Sequence, residues 1–380
     1  MGTNGNEEVT SLYSLSCRDR RFSKHIHDNV HGNIYLDPVL ASLPFPNLHS
    51  SHEDMSVKMI DYIVDAHHIE IDSAILNNVK TVNEKRFLYD IVANGQNGID
   101  VDKFDYIVRD SRACGLGCNF QFQRLLETMR VMGDEICYRA KDYLTVHKLF
   151  ATRADLHRTV YTHAKVKAIE LMVVDALTLA HGELSISASI QEPAKFWKLD
   201  DSILRQIETS DKQELKKARD LVLRIRRRDL YQSVFRSSTS TADYILQFCN
   251  EFAVPKDKQE HFKDITPQDI VCSQKNGDTP LNEEDISVSI VKINLTRGRS
   301  NPLESIKFFQ DYESDYKFPI RDERISHLLP AFCQDMIVRV YSKKPELVGA
   351  VSKAFENYQL KTYGMKAQVH DTPEKKKRRV

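Results

Sequence analysis

Asn97-Gly-Ile-Asp-Val-Asp-Lys-Phe-Asp-Tyr-Ile-Val-Arg-Asp110 is the stretch on which the fold of this chain turns. Residues four apart on an α-helix share a face. Asp102, Tyr106 and Asp110 therefore form one polar stripe, with Lys103 beside its upper end. Ile99, Phe104, Ile107 and Val108 lie elsewhere on the helix and are predicted to face a core. Downstream, Arg153, His157 and Tyr161 repeat the four-residue spacing. One helix offers carboxylates and a phenol; the other offers a guanidinium, an imidazole and a phenol. Facing each other, the two stripes would line a pocket suited to a sugar and a polyphosphate. The alternative is two solvated helix faces, and spacing alone does not choose between them.

The same stretch resembles the fourth motif of the HD-domain deoxynucleoside triphosphate triphosphohydrolases. Arg86-Phe-Leu-Tyr-Asp-Ile-Val92 and Thr152-Arg-Ala-Asp-Leu-His-Arg158 match that family as well, in the same order. The resemblance runs from about Lys24 to about Lys344 and is strongest between Ser51 and Met172. Within the family the chain is similar to the vertebrate sterile-alpha-motif and HD-domain branch, without the sterile-alpha-motif domain. The resemblance implies a mainly α fold: a truncated HD-domain-like helical core with a smaller α+β C-terminal region.

Composition sets the class. At 380 residues the chain is long enough for one large or two modest domains. With 41% hydrophobic and 28% charged residues it reads as a globular protein. Its 54 basic and 54 acidic side chains cancel, so bulk charge draws it to neither nucleic acid nor membrane. No apolar run approaches the ~20 residues of a membrane-spanning helix, and the polar N-terminus has no signal-peptide core. Seven cysteines without regular spacing fit a reducing compartment. Cys114 and Cys118 lack the second pair that a zinc site needs, so free thiols are predicted. Lys375, Lys376, Lys377, Arg378 and Arg379 form a terminal basic cluster that reads as a nuclear-import signal, with the cytoplasm as a second location.

Along the chain, residues 1–23 are polar and aperiodic, and a disordered segment is predicted. Lys24–Leu40 predicts a short hairpin. Ser51-His-Glu-Asp54 has capping-box form, with Met55, Met59, Ile60, Ile63 and Val64 following at helical period. Further helices are predicted over 81–92, 97–113, 120–131, 142–150 and 152–180, and from Glu214 to Arg227. Around Arg236 the texture changes. Ser237-Ser-Thr-Ser-Thr241 is linker-like, Ile286–Leu295 alternates as a strand does, and Arg324–Val340 is predicted to return to helix. The domains expected are a helical core over 24–235, an α+β regulatory or oligomerisation region over 236–366, and a basic tail over 367–380.

The family resemblance also implies a chemistry. Its members hydrolyse a deoxynucleoside triphosphate to a deoxynucleoside and intact triphosphate, using a divalent metal such as Fe, Mn, Mg or Zn held by a His, a His-Asp pair and a later Asp. Asp102 matches that later Asp. His52 matches an active-site imidazole near the leaving group, and Glu53 beside it could orient the site. Lys103 and Arg153 match phosphate-gripping residues. Tyr106 matches the ring against the sugar, Asp110 the acceptor for the 3′-hydroxyl, Tyr161 the residue crowding the 2′ position, and His157 a pocket imidazole. Thr162 stands where relatives have Gln. Lys24, Arg124, Arg139, Lys141 and His163 match positions of an interface site for a GTP or dNTP effector. Thr145 and Ala164 depart from that pattern, which expects Asn and Lys.

The main departure lies between Leu40 and His52. Only Ala41-Ser-Leu-Pro-Phe-Pro-Asn-Leu-His-Ser-Ser51 stands where relatives carry a long helical segment with three of the four metal ligands. The His-Asp pairs here are His27-Asp28 and His370-Asp371, neither in an apolar helix. His25, His27, Asp28 and His31 are either a small metal cluster or surface histidines of the hairpin. An incomplete first shell costs both metal affinity and water activation. Three hypotheses follow: an active dNTP triphosphohydrolase to which the family function applies directly, its activity expected to be impaired by the loss; a non-catalytic nucleotide-binding protein that joins homo- or hetero-oligomers with a full-length relative; and nucleic-acid binding through the basic tail, against which the balanced charge speaks.

Overall fold

A computed structural model describes residues 52–70, 85–118, 120–234, 252–259, 262–275, 277–295, 302–320 and 334–364. The predicted Lys24–Leu40 hairpin, the 25–31 histidines and the basic tail lie outside them. The described residues are mainly helical with small sheets, in keeping with the expected fold class. They divide into two units, neither continuous in sequence. The first takes the residues up to Tyr161, Val174–Val222 and those from Ile293 to Gln334; the second takes Thr162–Val173, Leu223–Lys292 and those from Asp335 onward.

The first unit opens with α1 (His52–Ala66), starting at the predicted capping signal, with Met55 buried and Met59, Ile60, Ile63 and Val64 half-buried. α2 (Arg86–Val92) receives its cap from a distance: the Arg86 and Phe87 N–H groups donate to the Asp134 carboxylate at 3.0 and 3.4 Å. The chain between α2 and α3 (Val101–Ala113) is a tight, side-chain-built loop. Asn94 Oδ1 accepts from the Gln96 and Asn97 N–H groups, and Asn97 Oδ1 accepts from the Ile99 N–H. Asp100 Oδ2 accepts from the Asn94 N–H while its Oδ1 caps α3 through the Lys103 N–H. Gly98 takes φ +73°, which a Cβ would strain. Helix therefore begins at Val101, four residues later than predicted, because Asp100 is the N-cap.

α4 (Phe122–Thr128) is shorter than the predicted 120–131 helix. The chain leaves it in extended form at Met129 and enters a hairpin absent from the sequence prediction. β1 (Arg130–Met132) pairs antiparallel with β2 (Glu135–Arg139), Arg130 opposite Cys137 and Met132 opposite Glu135. Gly133, at φ +65°, and Asp134 make the two-residue turn. β2 also pairs in parallel with β6 (Phe308–Phe309), giving a three-stranded sheet. α5 (Tyr143–Leu156) runs into a π-helical turn, His157–Tyr161, before α6 (Ala164–Leu184), so the unbroken 152–180 helix is corrected. The unit's core gathers Ile99, Phe104 and Ile107 of the opening motif with Leu125, Ile136, Leu149, Phe150 and Phe308, and Val108 packs against it, as the helical period predicts. Phe104 stacks on Phe120 and Phe122, with ring centroids 6.0 and 5.6 Å apart. Three short helices follow, α7 (Ile186–Gln191), α8 (Pro193–Phe196) and α9 (Ser202–Thr209). α10 (Lys216–Arg226) lies within the predicted helix from Glu214 to Arg227.

In the second unit, β7 (Gln334–Ser342) pairs antiparallel with β3 (Gln232–Ser233) and β4 (Phe252–Ala253), and also pairs with the predicted strand β5 (Ile286–Asn294). Met336, Val338 and Val340 pack with Val351, Ala354 and Phe355 of α12 (Val348–Tyr363), and α11 (Pro267–Val271) adds Ile270. β7 corrects the predicted helix over Arg324–Val340: from Gln334 on it is strand. Met336 to Ser342 are all buried, so the run carries no two-residue alternation to mark it. Among the described residues no helix is long and apolar enough to cross a membrane.

Candidate functional site

Within the first unit the two polar stripes meet. The Tyr161 hydroxyl donates to Asp110 Oδ2 at 2.6 Å. The Tyr161 ring stands edge-on to Tyr106, centroids 6.1 Å apart, and edge-on to His157 at 5.1 Å. Arg153 hydrogen-bonds Tyr106, and its Nη1 donates to the Asn294 carbonyl at 2.9 Å. Asp110, Tyr106, Arg153, His157 and Tyr161 are thus one linked cluster, all half-buried. The solvated-face alternative does not describe these helices. Edge-to-face aromatic pairs add about 0.5–1.5 kcal/mol each beyond burial, which helps hold the phenols in place. The π-helical turn gives Tyr161 its place on this face; such insertions recur at functional sites.

The cluster's electrostatics are quiet at neutral pH. Burial, reinforced by the Arg153 charge, holds the His157 imidazole down at about 4, so it is neutral. Burial and then the hydrogen bond to Asp110 push the Tyr161 phenol far above its ordinary value. Burial also raises Tyr106, outweighing the opposing Arg153 charge. The site therefore offers neutral hydroxyls, a neutral ring, a carboxylate and a guanidinium. These groups can bind and orient a polar ligand, but neither the two phenols nor the imidazole is poised to trade protons near pH 7.

The remaining predicted site residues are placed differently. Lys103 is drawn to the N-cap of its own helix, its Nζ 2.9 Å from Asp100 Oδ2. Asp102 is exposed. His52 and Glu53 open α1, and their side chains lie outside the described set. Thr162 begins the second unit. Arg124 and Arg139 converge on buried Asp142, their Nε atoms 2.7 and 2.9 Å from its two oxygens, with Thr128 Oγ1 donating at 3.0 Å. Burial opposes the ionised form of Asp142, but these hydrogen bonds outweigh it and hold the carboxyl below its ordinary value. Lys141 is exposed; His163, also exposed, accepts from the Lys165 N–H through Nδ1 at 3.2 Å. Lys24 lies outside the described residues. Cys114 and Cys118 take part in no disulfide.

A divalent cation needs several converging oxygen, nitrogen or sulfur donors. Among the described residues no three His, Cys, Asp or Glu side chains come together to hold one. Asp102 contributes a single exposed carboxylate. The described residues therefore do not fit the metal that the family resemblance implies. Sequence spacing also passed over Asp100, Asp142 and the Asn294 carbonyl. The first two had a signal in their i,i+3 spacing to Lys103 and Arg139; the third is a tertiary contact with none.

Residues 120–259 match the family model of an HD associated region. The chain is 38% identical over 312 residues to the deoxynucleoside triphosphate triphosphohydrolase SAMHD1 homolog of Dictyostelium discoideum, covering 80% of this chain and 57% of that protein. It belongs to the SAMHD1-like family. It is also 33% identical over 307 residues to deoxynucleoside triphosphate triphosphohydrolase SAMHD1 of Gallus gallus (76% of this chain, 48% of that one), and 27% identical over 364 residues to that of Homo sapiens (84% and 56%). The chain spans about half the length of these relatives. Tyr106, Asp110, Arg153 and His157 belong to the long motifs that carry the family resemblance, and Tyr161 lies three residues past the last of them.

Proposed function

We propose that this chain binds deoxynucleoside triphosphates and that its triphosphohydrolase activity, release of a deoxynucleoside and intact triphosphate, is impaired. The joined stripe carries this proposal: Asp110, Tyr161 and Tyr106 form a wall suited to a deoxyribose, with Arg153 beside it for phosphate. In this role Asp110 accepts the 3′-hydroxyl, Tyr106 packs on the sugar, and Tyr161 crowds the 2′ position against a ribose hydroxyl. Arg153, joined by Lys103 once it leaves Asp100, neutralises the triphosphate. Binding does not call on His52 or Glu53, which would serve only the leaving group. Impairment follows from the donor set, because the His and His-Asp ligands are missing from the sequence and the described residues form no alternative cluster.

The test is triphosphate release from dGTP by the purified protein, with its iron, manganese and zinc content measured alongside. The expected result is dGTP binding with release orders of magnitude below an intact relative. Turnover comparable to an intact relative, abolished by Asp102→Ala, would sink the proposal.

A second reading is favoured by the well-packed second unit built around β7. A chain that folds this region while lacking metal ligands suits a non-catalytic role in homo- or hetero-oligomers with a full-length relative, modulated by a GTP or dNTP effector near Arg124 and Arg139. Co-expression with the full-length relative followed by size-exclusion chromatography decides it; separate elution rules it out. The Lys375–Arg379 cluster would send the protein to the nucleus, and its replacement by alanine should shift a tagged protein to the cytoplasm.

A further inference from the structure

Arg109 belongs to neither stripe. Its side chain is 58% exposed, yet its guanidinium is fixed on two carboxylates. Nε donates to Asp105 Oδ2 at 3.2 Å, an ordinary pairing four residues apart on a helix. Nη1 donates to Asp110 Oδ1 at 2.8 Å, which is not ordinary, since adjacent helical residues do not face each other. Tyr161 already occupies Asp110 Oδ2. The Asp110 carboxylate is thus gripped at both oxygens, by a cation from its own helix and by a phenol from the π-helical turn.

A terminal carboxylate torsion is broad and turns easily when nothing holds it. A hydroxyl donor is read selectively only where the acceptor is fixed before the ligand arrives. We infer that Arg109 is a positioning residue: it fixes the Asp110 carboxylate so that Oδ2 is presented on the Tyr161 side, where a sugar 3′-hydroxyl is read. This rests on the deoxynucleotide-binding function proposed above. Asp105 is part of the device, because it keeps the guanidinium lying along the helix rather than extended into water. An exposed pair of this kind contributes little to stability, so its removal leaves the fold intact.

The experiment compares Arg109→Gln and Arg109→Lys with the unaltered protein, measuring affinities for dGTP and 2′,3′-dideoxy-GTP by calorimetry. The unaltered protein should prefer dGTP. Arg109→Gln should cut that preference by about fivefold, less than one charge-assisted hydrogen bond is worth because Tyr161 still holds Asp110 Oδ2, with dideoxy-GTP affinity and melting temperature unchanged. Arg109→Lys should recover part of the preference. Full preference in Arg109→Gln overturns the inference and leaves the pocket standing. Equal losses for both ligands also overturn it, because Arg109 would then act on the fold. No preference in the unaltered protein removes the underlying function and the inference together.

Discussion

Lys103 Nζ lies 2.9 Å from Asp100 Oδ2 and 3.0 Å from Oδ1, closing the first turn of α3 onto its own N-cap. Asp100 is buried and also accepts the Lys103 and Asn94 backbone N–H groups, so one carboxylate joins the loop, the helix start and the lysine. A triphosphate that recruits Lys103 must draw it away from this partner. Loss of the N-cap alone costs about 1–2 kcal/mol. Asp100→Ala should therefore destabilise the protein by at least that amount, and Lys103→Ala by less, since the cap survives. Urea unfolding checks the order; equal losses would mean that the ion pair, not the cap, holds the loop.

Arg153 links the Tyr106 hydroxyl to the Asn294 carbonyl. Arg153→Ala should weaken triphosphate binding about tenfold or more, the value of a charged hydrogen bond of roughly 1.5–3 kcal/mol, and deoxynucleoside binding far less. Titrations with dGTP and deoxyguanosine separate the two, and equal losses would place Arg153 away from the phosphates.

His157 gives a pH signature. Its folded-state value of about 4 lies below the ordinary 6.5, so the unfolded chain binds the extra proton first. Stability is full above about 6.5 and declines as pH falls toward 4, by on the order of 2–3 kcal/mol in all. His157→Phe should flatten this slope. Unfolding midpoints at pH 7 and pH 5 measure it, and an unchanged slope would show that another group sets the acid sensitivity.

Asp142 acts further down the scale. Its carboxyl is held below the ordinary 3.8 by Arg139, Arg124 and Thr128 against the cost of burial, so its contribution is present at neutral pH and lost as pH falls below about 3.8. Asp142→Ala strands Arg139, whose side chain is only 15% exposed, while Arg124, at 59%, can turn to water. Removing one partner of a buried pair costs roughly 3–5 kcal/mol; the exposed arginine places this case at the lower end. Thermal unfolding of Asp142→Ala and of Arg124→Ala should show the first well below the second.

Local patterns made much of this molecule legible. The four-residue spacing placed Phe104 and Ile107 in the core, and set Tyr106 with Asp110 on one face and Arg153 with His157 on the next. The capping signal at Ser51 marked the start of α1, and alternation marked β5. In each case a residue's neighbours in sequence are its neighbours in space, so period alone carries the information.

Where partners come from distant parts of the chain, the sequence was silent and tertiary structure decided. The β1–β2 hairpin begins in the last residues of a predicted helix and runs through a stretch given no element by the sequence reading, and its Asp134 caps a helix far upstream, at Arg86. β7 is buried from Met336 to Ser342, which erases the alternation that would have named it a strand. The π-helical turn that seats Tyr161 against Asp110 has no sequence period of its own. Sequence by itself determined which residues share a face. Only the tertiary structure decided which faces meet, because burial and long-range hydrogen bonds are set by packing between segments and not by the order of residues within one.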